Sequence, residues 1–492
     1  MAPLRIKHAV HCLFALAVSL VVGCVVGPDF DRPRPPEVDR YTAEMVTTSN
    51  GNVSDGEAQR FVQGMDISGD WWTLFQSKPL NDLIERALME NPDIKAAQAA
   101  LTIARENVLA QKGSYYPSVD AILSASNQKT SADLSPTPNS GDLYFNLYTP
   151  QVNVSYVPDV FGLNRRTLES LEAQAEQQHF LLAATLVTLS SNIVVAAIQE
   201  ASLREQIDVT QELISVNTDM LKILRTQFAR GYASRLAVAA QESQLAQVTA
   251  GLPPLRRQLA QQRDLLAALS GGFPGSQPEE TFHVSSLHLP RELPVSLPSH
   301  LVEQRPDIRQ AEENMRSASA LIGVAVANRL PTFTLTADVG SMALTASRMF
   351  AGGTGFWDLA AGVTQPIFRG GTLLHRELAA RAAYAQASEQ YRRAVLTAFQ
   401  NVADTLNALE QDGDALTAAD AATNASKVTL ELAQKQWKSG YADYLALLSA
   451  EQGYQQSLMT LVQARANRYM DTAALFQALG GGWWHRVELS EN

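Results

Sequence analysis

Two long stretches of the chain repeat apolar residues at helical spacing. Leu163 to Arg230 contains no glycine and no proline, and Thr372 to Ser439 contains only Gly413. At 1.5 Å per residue, each stretch predicts a helix of roughly 100 Å, far longer than an ordinary globular helix. Two seams in the first stretch follow 4-3 spacing, at 203, 207, 210, 214, 217, 221, 224 and 228 and at 209, 213, 216, 220 and 223. A helix with two seams packs against a neighbour on each side, as in a closed cylinder or a large antiparallel bundle.

Shorter segments alternate apolar and polar residues at every second position, which predicts strands. Two such segments lie at 332–341 and 357–364, and two less regular ones lie at 118–125 and 142–156, where Pro150 interrupts the second. The pattern fits a half-buried soluble hairpin and a membrane-barrel strand equally well. Four strands cannot close a membrane barrel, because known bacterial barrels begin at eight strands. If the strands enter a membrane, several chains must therefore share one barrel.

The chain is a tandem duplication with copies of about 200 residues. Asn91-Pro92-Asp93-Ile94 recurs as Arg305-Pro306-Asp307-Ile308, and Gly231-Tyr232-Ala233 recurs as Gly440-Tyr441-Ala442. Each copy runs from a helix through a strand pair into the long helix, a glycine turn and a returning helix. We divide the chain into 1–23, a signal peptide; 24–75, an anchor and N-terminal segment; 76–270, repeat one, with strands near 116–157; 271–298, a linker; 299–478, repeat two, with strands near 331–366; and 479–492, a tail.

The N-terminus carries a processing signal. Arg5 and Lys7 precede an apolar run that ends at Gly23-Cys24. The run is shorter than the roughly 20 residues that a spanning helix needs, so it predicts a secretory signal. The small residue before Cys24 resembles a lipobox, in which the cysteine is acylated. The alternative is a plain signal peptide with an incidental cysteine.

Composition and charge exclude several classes of function. The chain is 46% hydrophobic and 18% charged, with a formal net charge of −11. The acidic balance argues against binding nucleic acid, and the apolar fraction is too low for a polytopic helical membrane protein. His283, His288 and His300 lack a metal-ligand spacing, and no Ser/His/Asp set can be assembled. We therefore predict no catalytic residue, no metal site and no enzymatic activity.

Several motifs together resemble the TolC-like outer-membrane factor family, in the lipoprotein branch that serves tripartite efflux pumps. They are Cys24 to Pro33, Trp71-Trp72 leading to Pro79-Leu80, Asn91 to Ile94, Arg305 to Arg309 with Ile322 to Ala325, and the tail Ala478 to Trp483. The resemblance implies a mainly α fold with a β-barrel portion. Three chains would give a 12-stranded outer-membrane barrel that continues into a periplasmic α-barrel. A mixed equatorial region would combine segments near 30–75, 271–298 and 479–492.

The same resemblance implies function, partners and location. The homotrimer would be a passive conduit that exports drugs or other small toxic compounds across the bacterial outer membrane. Its partners would be a periplasmic adaptor and an inner-membrane transporter. Cys24 would carry N-palmitoyl and S-diacylglycerol groups inserted in outer-membrane lipid, with no other cofactor. A conduit for protein secretion and a non-spanning, lipid-tethered periplasmic coiled-coil protein remain as alternatives.

The two glycine turns are the candidate functional site. Gly231 and Gly440 suit the left-handed position that ends a helix, and Ser234 and Asp443 suit the next N-cap. By resemblance, the tips contact the adaptor and the nearby residues close the aperture. The family usually has an acid four residues after the aperture leucine, whereas this chain has Ala240 and Ser449. Closure is therefore predicted to depend more on apolar packing. The tip residues are Gly231, Tyr232, Ala233, Ser234, Gly440, Tyr441, Ala442 and Asp443, and the aperture residues are Leu236, Ala240, Leu445 and Ser449.

Overall fold

The structure, a computed structural model, describes residues 25–42, 59–131, 143–275 and 280–486. The predicted signal peptide and Cys24 lie outside the described residues. The chain forms two compact units. Of the described residues, the first unit comprises 25–32, 102–131, 143–177 and 311–390, and the second comprises 33–42, 59–101, 178–275, 280–310 and 391–486.

The helices follow the predicted duplication. They are α1 (Lys78–Glu90), α2 (Pro92–Lys112), α3 (Leu163–Ala229), α4 (Arg235–Leu269), α5 (Pro298–Gln304), α6 (Pro306–Ala327), α7 (Thr372–Lys438) and α8 (Tyr444–Ala478). The long helices α3 and α7 have 67 residues each, and the returning helices α4 and α8 have 35 residues each. The two copies therefore fold into hairpins of equal length.

The two returning helices differ in one respect. Helix α4 contains Pro253 and Pro254 in its interior, whereas α8 contains no proline. Proline lacks a backbone N–H and cannot complete the helical hydrogen bonds, so it bends or weakens a helix where it stands. The duplication has thus kept the length of this helix but not its regularity.

The first unit holds a four-stranded antiparallel sheet in the order β2-β3-β5-β6. Its strands are β2 (Ser118–Thr130), β3 (Leu143–Tyr156), β5 (Thr332–Ser341) and β6 (Gly355–Thr364). The β3–β5 ladder begins at Gln151, directly after Pro150, which has no N–H to donate. Strands β2 and β6 lie at the two ends of the sheet.

The register separates an apolar face from a polar face. One row across the sheet pairs Val119, Val154, Ala337 and Leu359, and the next row pairs Asp120, Asn153, Asp338 and Asp358. On the polar face, Asn153 donates to Asp338 at 2.9 Å and Gln151 donates to the same carboxylate at 3.2 Å. On the apolar face, Trp357, Leu359 and Val363 of β6 are exposed. The alternation predicted from the sequence thus gives a sheet whose apolar side is left uncovered by the residues that the structure describes.

The segment that follows Cys24 contacts residues of two helices, α3 and α6, in the first unit. Arg166 is buried and donates to the carbonyl oxygens of Val26 (3.0 Å) and Gly27 (3.3 Å) and to the Asp29 carboxylate (2.8 Å). Gly27 has a φ of +95°, and a Cβ there would lie 2.4 Å from the Cα of Gly323. The close approach requires glycine at both positions. The described residues that follow Cys24 are therefore held firmly against α3 and α6.

In the second unit, segments distant in the sequence share one core. Strand β1 (Arg60–Gln63) pairs in parallel with β4 (Glu292–Val295), which lies inside the predicted linker. Trp71 stacks on Phe476 with ring centroids 5.1 Å apart. The Trp483 ring nitrogen donates to the Gln304 carbonyl at 2.6 Å. The N-terminal segment, the linker and the tail thus all pack in this unit.

The duplicated Pro-Asp-Ile motifs perform the same task in both copies. Asn91 donates from its side chain to the carbonyl of Leu269, the last residue of α4, at 2.9 Å. Arg305 donates to the carbonyl of Ala478, the last residue of α8, at 2.8 Å. A helix end leaves carbonyl oxygens without helical partners, and these side chains supply the donors. Each motif therefore ties the start of one helix to the end of a returning helix.

The two seams of α3 differ in burial. Leu203, Ile207, Leu221 and Leu224 of the first seam are buried, although Phe228 at its end is exposed. In the second seam, Val216 and Ile223 are each 45% exposed. Helix α3 also contains an 18-residue window apolar enough to cross a membrane, which the sequence analysis did not recognise, and 67% of that window is buried. The first seam thus packs largely within the chain, whereas the second is covered in part, with Met220 packed against buried residues and Val216 and Ile223 exposed.

Candidate functional site

Both hairpins turn through the same hydrogen-bonded motif. Gly231 has a φ of +81° and Gly440 a φ of +76°. The Gly231 N–H donates to Phe228 and the Tyr232 N–H to Gln227, both at 2.9 Å. The Gly440 and Tyr441 N–H groups repeat this pattern at 3.0 and 2.9 Å. This is the Schellman arrangement, which satisfies the last carbonyls of a helix and needs glycine at the left-handed position.

The returning helices begin at the predicted caps. The Ser234 hydroxyl accepts from the Ala237 N–H at 3.1 Å, and the Asp443 carboxylate accepts from the Ala446 N–H at 2.9 Å. These bonds satisfy a free N–H group in the first turn of α4 and of α8. The predicted conformational roles of Gly231, Ser234, Gly440 and Asp443 are confirmed.

The tip residues between the caps are open to solvent. Tyr232 is 83% exposed and Tyr441 is 89% exposed, whereas Ala233 and Ala442 are half-buried. A groove of about 890 Å³ separates the two tips, and its lining includes Tyr232, Leu236, Trp437 and Leu445. Exposed aromatic residues beside an apolar groove are typical of a surface that binds another protein.

The predicted aperture residues lie one to two turns above the tips. Leu236 and Ser449 are exposed, Leu445 is 44% exposed, and Ala240 is half-buried. Within one chain, the two leucines therefore have no complete apolar cover. Contact among them across copies of the chain stays a prediction.

Beneath the tips, the four long helices share a small apolar core. Leu221 and Leu224 of α3, Val238 of α4, and Leu447 and Leu448 of α8 are buried together, and Trp437 of α7 packs against them. Trp437 meets Tyr444 edge to face, with centroids 6.2 Å apart. This tip core fixes the two turns relative to each other.

A chain of polar groups crosses the tip core. The Gln241 side-chain nitrogen donates to the Asn217 carbonyl (2.8 Å) and to its side-chain oxygen (3.0 Å). The Tyr444 hydroxyl donates to the oxygen of the same Gln241. The side-chain nitrogen and the side-chain oxygen of Gln241 thus both have hydrogen-bond partners, as buried polar groups usually do. The Tyr444 bond links the two hairpins directly.

Glu451 is the exception in this layer. It is 4% exposed, and neither carboxylate oxygen has a hydrogen-bond partner among the described residues. Burial raises the pKa of Glu451 to about 7, because the apolar surroundings disfavour its charged form. Burial and the neighbouring Glu451 charge together raise the pKa of Tyr444 above its usual range.

A second acidic contact lies farther along the same hairpin. Asp412 of α7 is hydrogen-bonded to Asp471 of α8. Burial, followed by the Asp471 hydrogen bond and charge, raises the pKa of Asp412 to about 7, while the Arg468 charge opposes the rise. The corresponding part of the first hairpin is different. There, the Glu200 carboxylate oxygen forms ion pairs with the guanidinium nitrogens of Arg204 at 2.6 Å and Arg263 at 3.5 Å.

The sequence analysis missed this buried polar layer. It placed Asn217 on a seam but assigned nothing to Gln241, Tyr444 or Glu451. Tyr444, Leu447, Leu448 and Glu451 recur at the three- and four-residue spacing of one helix face, which could have placed the acid in the core. Among the described residues, no group of three or more His, Cys, Asp or Glu side chains could hold a metal ion.

The structure thus defines a class of protein that combines a sheet with an exposed apolar face, long paired helices and solvent-exposed hairpin tips. Comparison with known proteins assigns the class. The family profile described as "Outer membrane efflux protein" matches residues 83–272 and 297–481.

Relatives and solved structures agree with this profile. The probable efflux pump outer membrane protein SepC of Pseudomonas putida is 28% identical over 95% of this chain and 96% of its own length. The pyoverdine export outer membrane protein OpmQ of Pseudomonas aeruginosa is 30% identical over 84% of this chain and 87% of its own. The open-state MtrE outer membrane channel of Neisseria gonorrhoeae is 26% identical, with a TM-score of 0.80 over 94% of this chain and 99% of its own.

The chain belongs to the outer membrane efflux protein family. The predictions of an outer-membrane efflux component and of a conduit with no enzymatic activity are confirmed by this membership. The mainly helical channel fold is also shared with the Campylobacter jejuni CmeC outer membrane channel, at a TM-score of 0.84 over 95% of this chain and 97% of its own.

Proposed function

We propose that three copies of this chain form a conduit for small toxic compounds through the outer membrane. The observation that carries the proposal is the four-stranded sheet, whose apolar face has no cover from the described part of the chain and whose end strands are β2 and β6. Sheet edges in lipid must be paired, so β6 of one copy would pair with β2 of the next. Three sheets of four strands give a closed ring of twelve.

Strand length and register support a membrane location. The strands contain 10 to 14 residues, and a tilted strand needs about 9 to 11 to cross the hydrocarbon core. The apolar rows would face lipid, and the row of Asp120, Asn153, Asp338 and Asp358 would face the lumen. A water-filled lumen suits the passage of polar and charged compounds.

The second seam of α3 supports a shared helical wall. Val216 and Ile223 are half-exposed in the single chain although they follow regular 4-3 spacing. A regular apolar seam is stable in water only when another helix covers it. A helix of the neighbouring copy would be that cover, which makes the homotrimer an α-barrel as well as a β-barrel.

The N-terminal contacts support a lipid anchor close to the strands. The Val26 N–H donates to the carbonyl of Phe161, five residues after the end of β3, at 3.2 Å, and Arg166 bonds to residues 26, 27 and 29. Cys24 immediately precedes Val25. An N-palmitoyl group on its amine and an S-diacylglycerol group on its sulfur would enter the periplasmic leaflet of the outer membrane. The anchor would therefore supplement the barrel rather than replace it.

The tips are the proposed contact with a periplasmic adaptor, which would connect the conduit to an inner-membrane transporter. The groove between them, with the exposed Tyr232 and Tyr441, offers the apolar and aromatic surface that such a contact needs. The names of the relatives, which include toluene efflux, pyoverdine export and cation efflux, favour small compounds as cargo.

Deletion of the gene tests the function. We expect hypersensitivity within a panel of toxic compounds, restored by the wild-type chain, and conductance when the purified chain is added to planar bilayers. A periplasmic tether would give no conductance. A secretion conduit would give loss of an exported protein without hypersensitivity, and either result would contradict the proposal.

A further inference from the structure

Glu451 lies two turns inside α8, on the helix face that carries Tyr444, Leu447 and Leu448. All four side chains are buried, and three of them belong to the tip core. The carboxylate is the exception to the pairing of this layer, because neither of its oxygens receives a hydrogen bond among the described residues. A buried polar group without a partner calls for an explanation.

In the described part of the chain, burial is what shifts the pKa of Glu451, and no cationic side chain acts against it. On α3 and α4, Arg225 and Glu242 bond each other at 2.9 Å near the surface. On α7, the charged residues at this level are exposed, and Leu430, Ala433 and Trp437 pack against the core. The titratable group that responds to Glu451 is Tyr444 on its own helix. The exposed charged residues of α7 are Lys427, Glu431, Lys435 and Lys438.

The first hairpin contains a buried polar residue with which Glu451 can be compared. Gln241 of α4 lies in the same core and is also buried, but its amide has partners on both sides in Asn217 and Tyr444. An amide does not change its charge with pH. Glu451 differs because its neutral form can stay in an apolar site, whereas an unpaired carboxylate is strongly disfavoured there.

We propose that Glu451 is a proton-dependent latch of the second hairpin tip. With the proton bound, α8 packs closely against α3, α4 and α7. When the proton leaves, the carboxylate needs water, and water enters only if α8 moves away from the tip core. The latch rests on the proposed role of the tips as the closed end of the conduit.

The direction of the effect follows from the environment of the group. Burial raises the pKa of Glu451 from 4.5 to about 7. The hydrated, open tip has the ordinary pKa and loses its proton first as the pH rises. The closed tip is therefore favoured at low pH, weakens as the pH rises from about 4.5 to about 7, and changes little above that. The first tip, with Gln241, does not respond directly.

A distance measurement tests the latch on the full-length assembly. Tyr232→Cys and Tyr441→Cys, both at exposed positions, carry spin labels for pulsed electron resonance at pH 5.5 and pH 8. We expect the population with widely separated tips to increase on the order of tenfold at the higher pH. Glu451→Gln, which resembles the protonated acid, should keep the narrow population at both values. Glu242→Gln, the matched control at a surface acid, should behave like the wild type.

Two results would overturn the proposal: no change with pH in the wild type, or an unchanged pH response in Glu451→Gln. The wild-type response gives an answer even if the glutamine variant does not assemble. Bilayer conductance of the same samples separates the latch from the proposed function. A pH-dependent tip distance without conductance would support the latch and contradict the conduit, whereas conductance without a Glu451-dependent response would do the reverse.

Discussion

The first hairpin tip buries amides, Asn217 and Gln241, that hydrogen-bond to each other, whereas the second buries a carboxylic acid, Glu451, whose oxygens have no hydrogen-bond partner in the part of the chain that the structure describes. The backbones of the two hairpins are otherwise closely alike, with equal helix lengths, the same glycine turn and equivalent caps. Farther from the tips, Glu200 of the first hairpin meets two arginines, whereas Asp412 of the second meets Asp471.

This difference indicates how a duplicated chain divides its tasks. Helix length, turn and caps depend on local sequence, so both copies have kept them. The buried polar groups depend on contacts between helices that are distant in the sequence, and each copy has changed them separately. More of the buried polar side chains have hydrogen-bond or ion-pair partners in the first hairpin. The second hairpin carries the two acids whose pKa values rise to about 7. We therefore expect the second hairpin to be the mobile and pH-sensitive one.

The largest expected effect is on closure of the conduit. Replacing Leu236 and Leu445 together with serine removes the exposed apolar side chains from both tips. Cells with this double variant should become more sensitive to vancomycin by on the order of tenfold, because an apolar constriction would become polar. Each single variant shows how much one tip contributes. Unchanged permeability with normal assembly would rule out these two leucines as aperture residues.

Truncations in the tip core compare the two hairpins directly. Leu447→Ala removes a fully buried side chain from α8 and should cost about 3 kcal/mol of stability, while Val238→Ala in α4 should cost about half of that. Thermal unfolding of the purified protein in detergent measures both. Equal and small losses would mean that the tip core does not hold the hairpins together.

The acidic pair gives a pH-dependent difference. The pKa of Asp412 is raised, so the folded state loses stability as the pH rises from about 4 to about 7. Asp471→Asn keeps a hydrogen-bonding side chain but removes one carboxyl group, and should stabilise the protein by about 1 kcal/mol at pH 8 and little at pH 4. Asp414→Asn, at an exposed position of α7, is the control. Equal unfolding temperatures for the two variants at pH 8 would contradict this interpretation.

The smallest expected effect concerns the surface of the first tip. Arg225 and Glu242 form an exposed ion pair at 2.9 Å. Arg225→Ala should change stability by at most about 0.5 kcal/mol, because water and salt screen exposed charges. A loss of several kcal/mol, measured by the same thermal unfolding, would show that assembly of the copies buries this pair.

Local signals in the sequence were sufficient for the helices, turns and caps. The long runs with no proline and at most one glycine set the ends of α3 and α7 to within a residue, and the alternation located the strands of the second copy. Contacts between distant segments were not predictable in this way. Strand β1 has four residues and no alternation, and it pairs with β4 more than 200 residues later. The sequence motif around Gly27 pointed to a family, whereas its contact with Arg166 and Gly323 became clear only from the fold.

The tip illustrates the same limit within the site. Gly231, Ser234, Gly440 and Asp443 were predictable because their roles depend on one or two neighbours in the chain. The burial of Glu451 depends on helices of both hairpins, and its sign in the sequence is the three- and four-residue spacing from Tyr444, Leu447 and Leu448. Ser449, at the position where the family usually has an acid, is exposed in the single chain.

The central claim is that three chains share one barrel, with the apolar sheet face toward lipid and the second seam of α3 covered by a neighbour. Electron cryo-microscopy of the full-length protein extracted from the outer membrane tests it most directly. We predict three copies around a closed ring of twelve strands, with β6 of each copy paired to β2 of the next and Val216 and Ile223 buried between copies. A monomer, or an assembly in which the apolar sheet face packs against protein instead of detergent or lipid, would contradict the account.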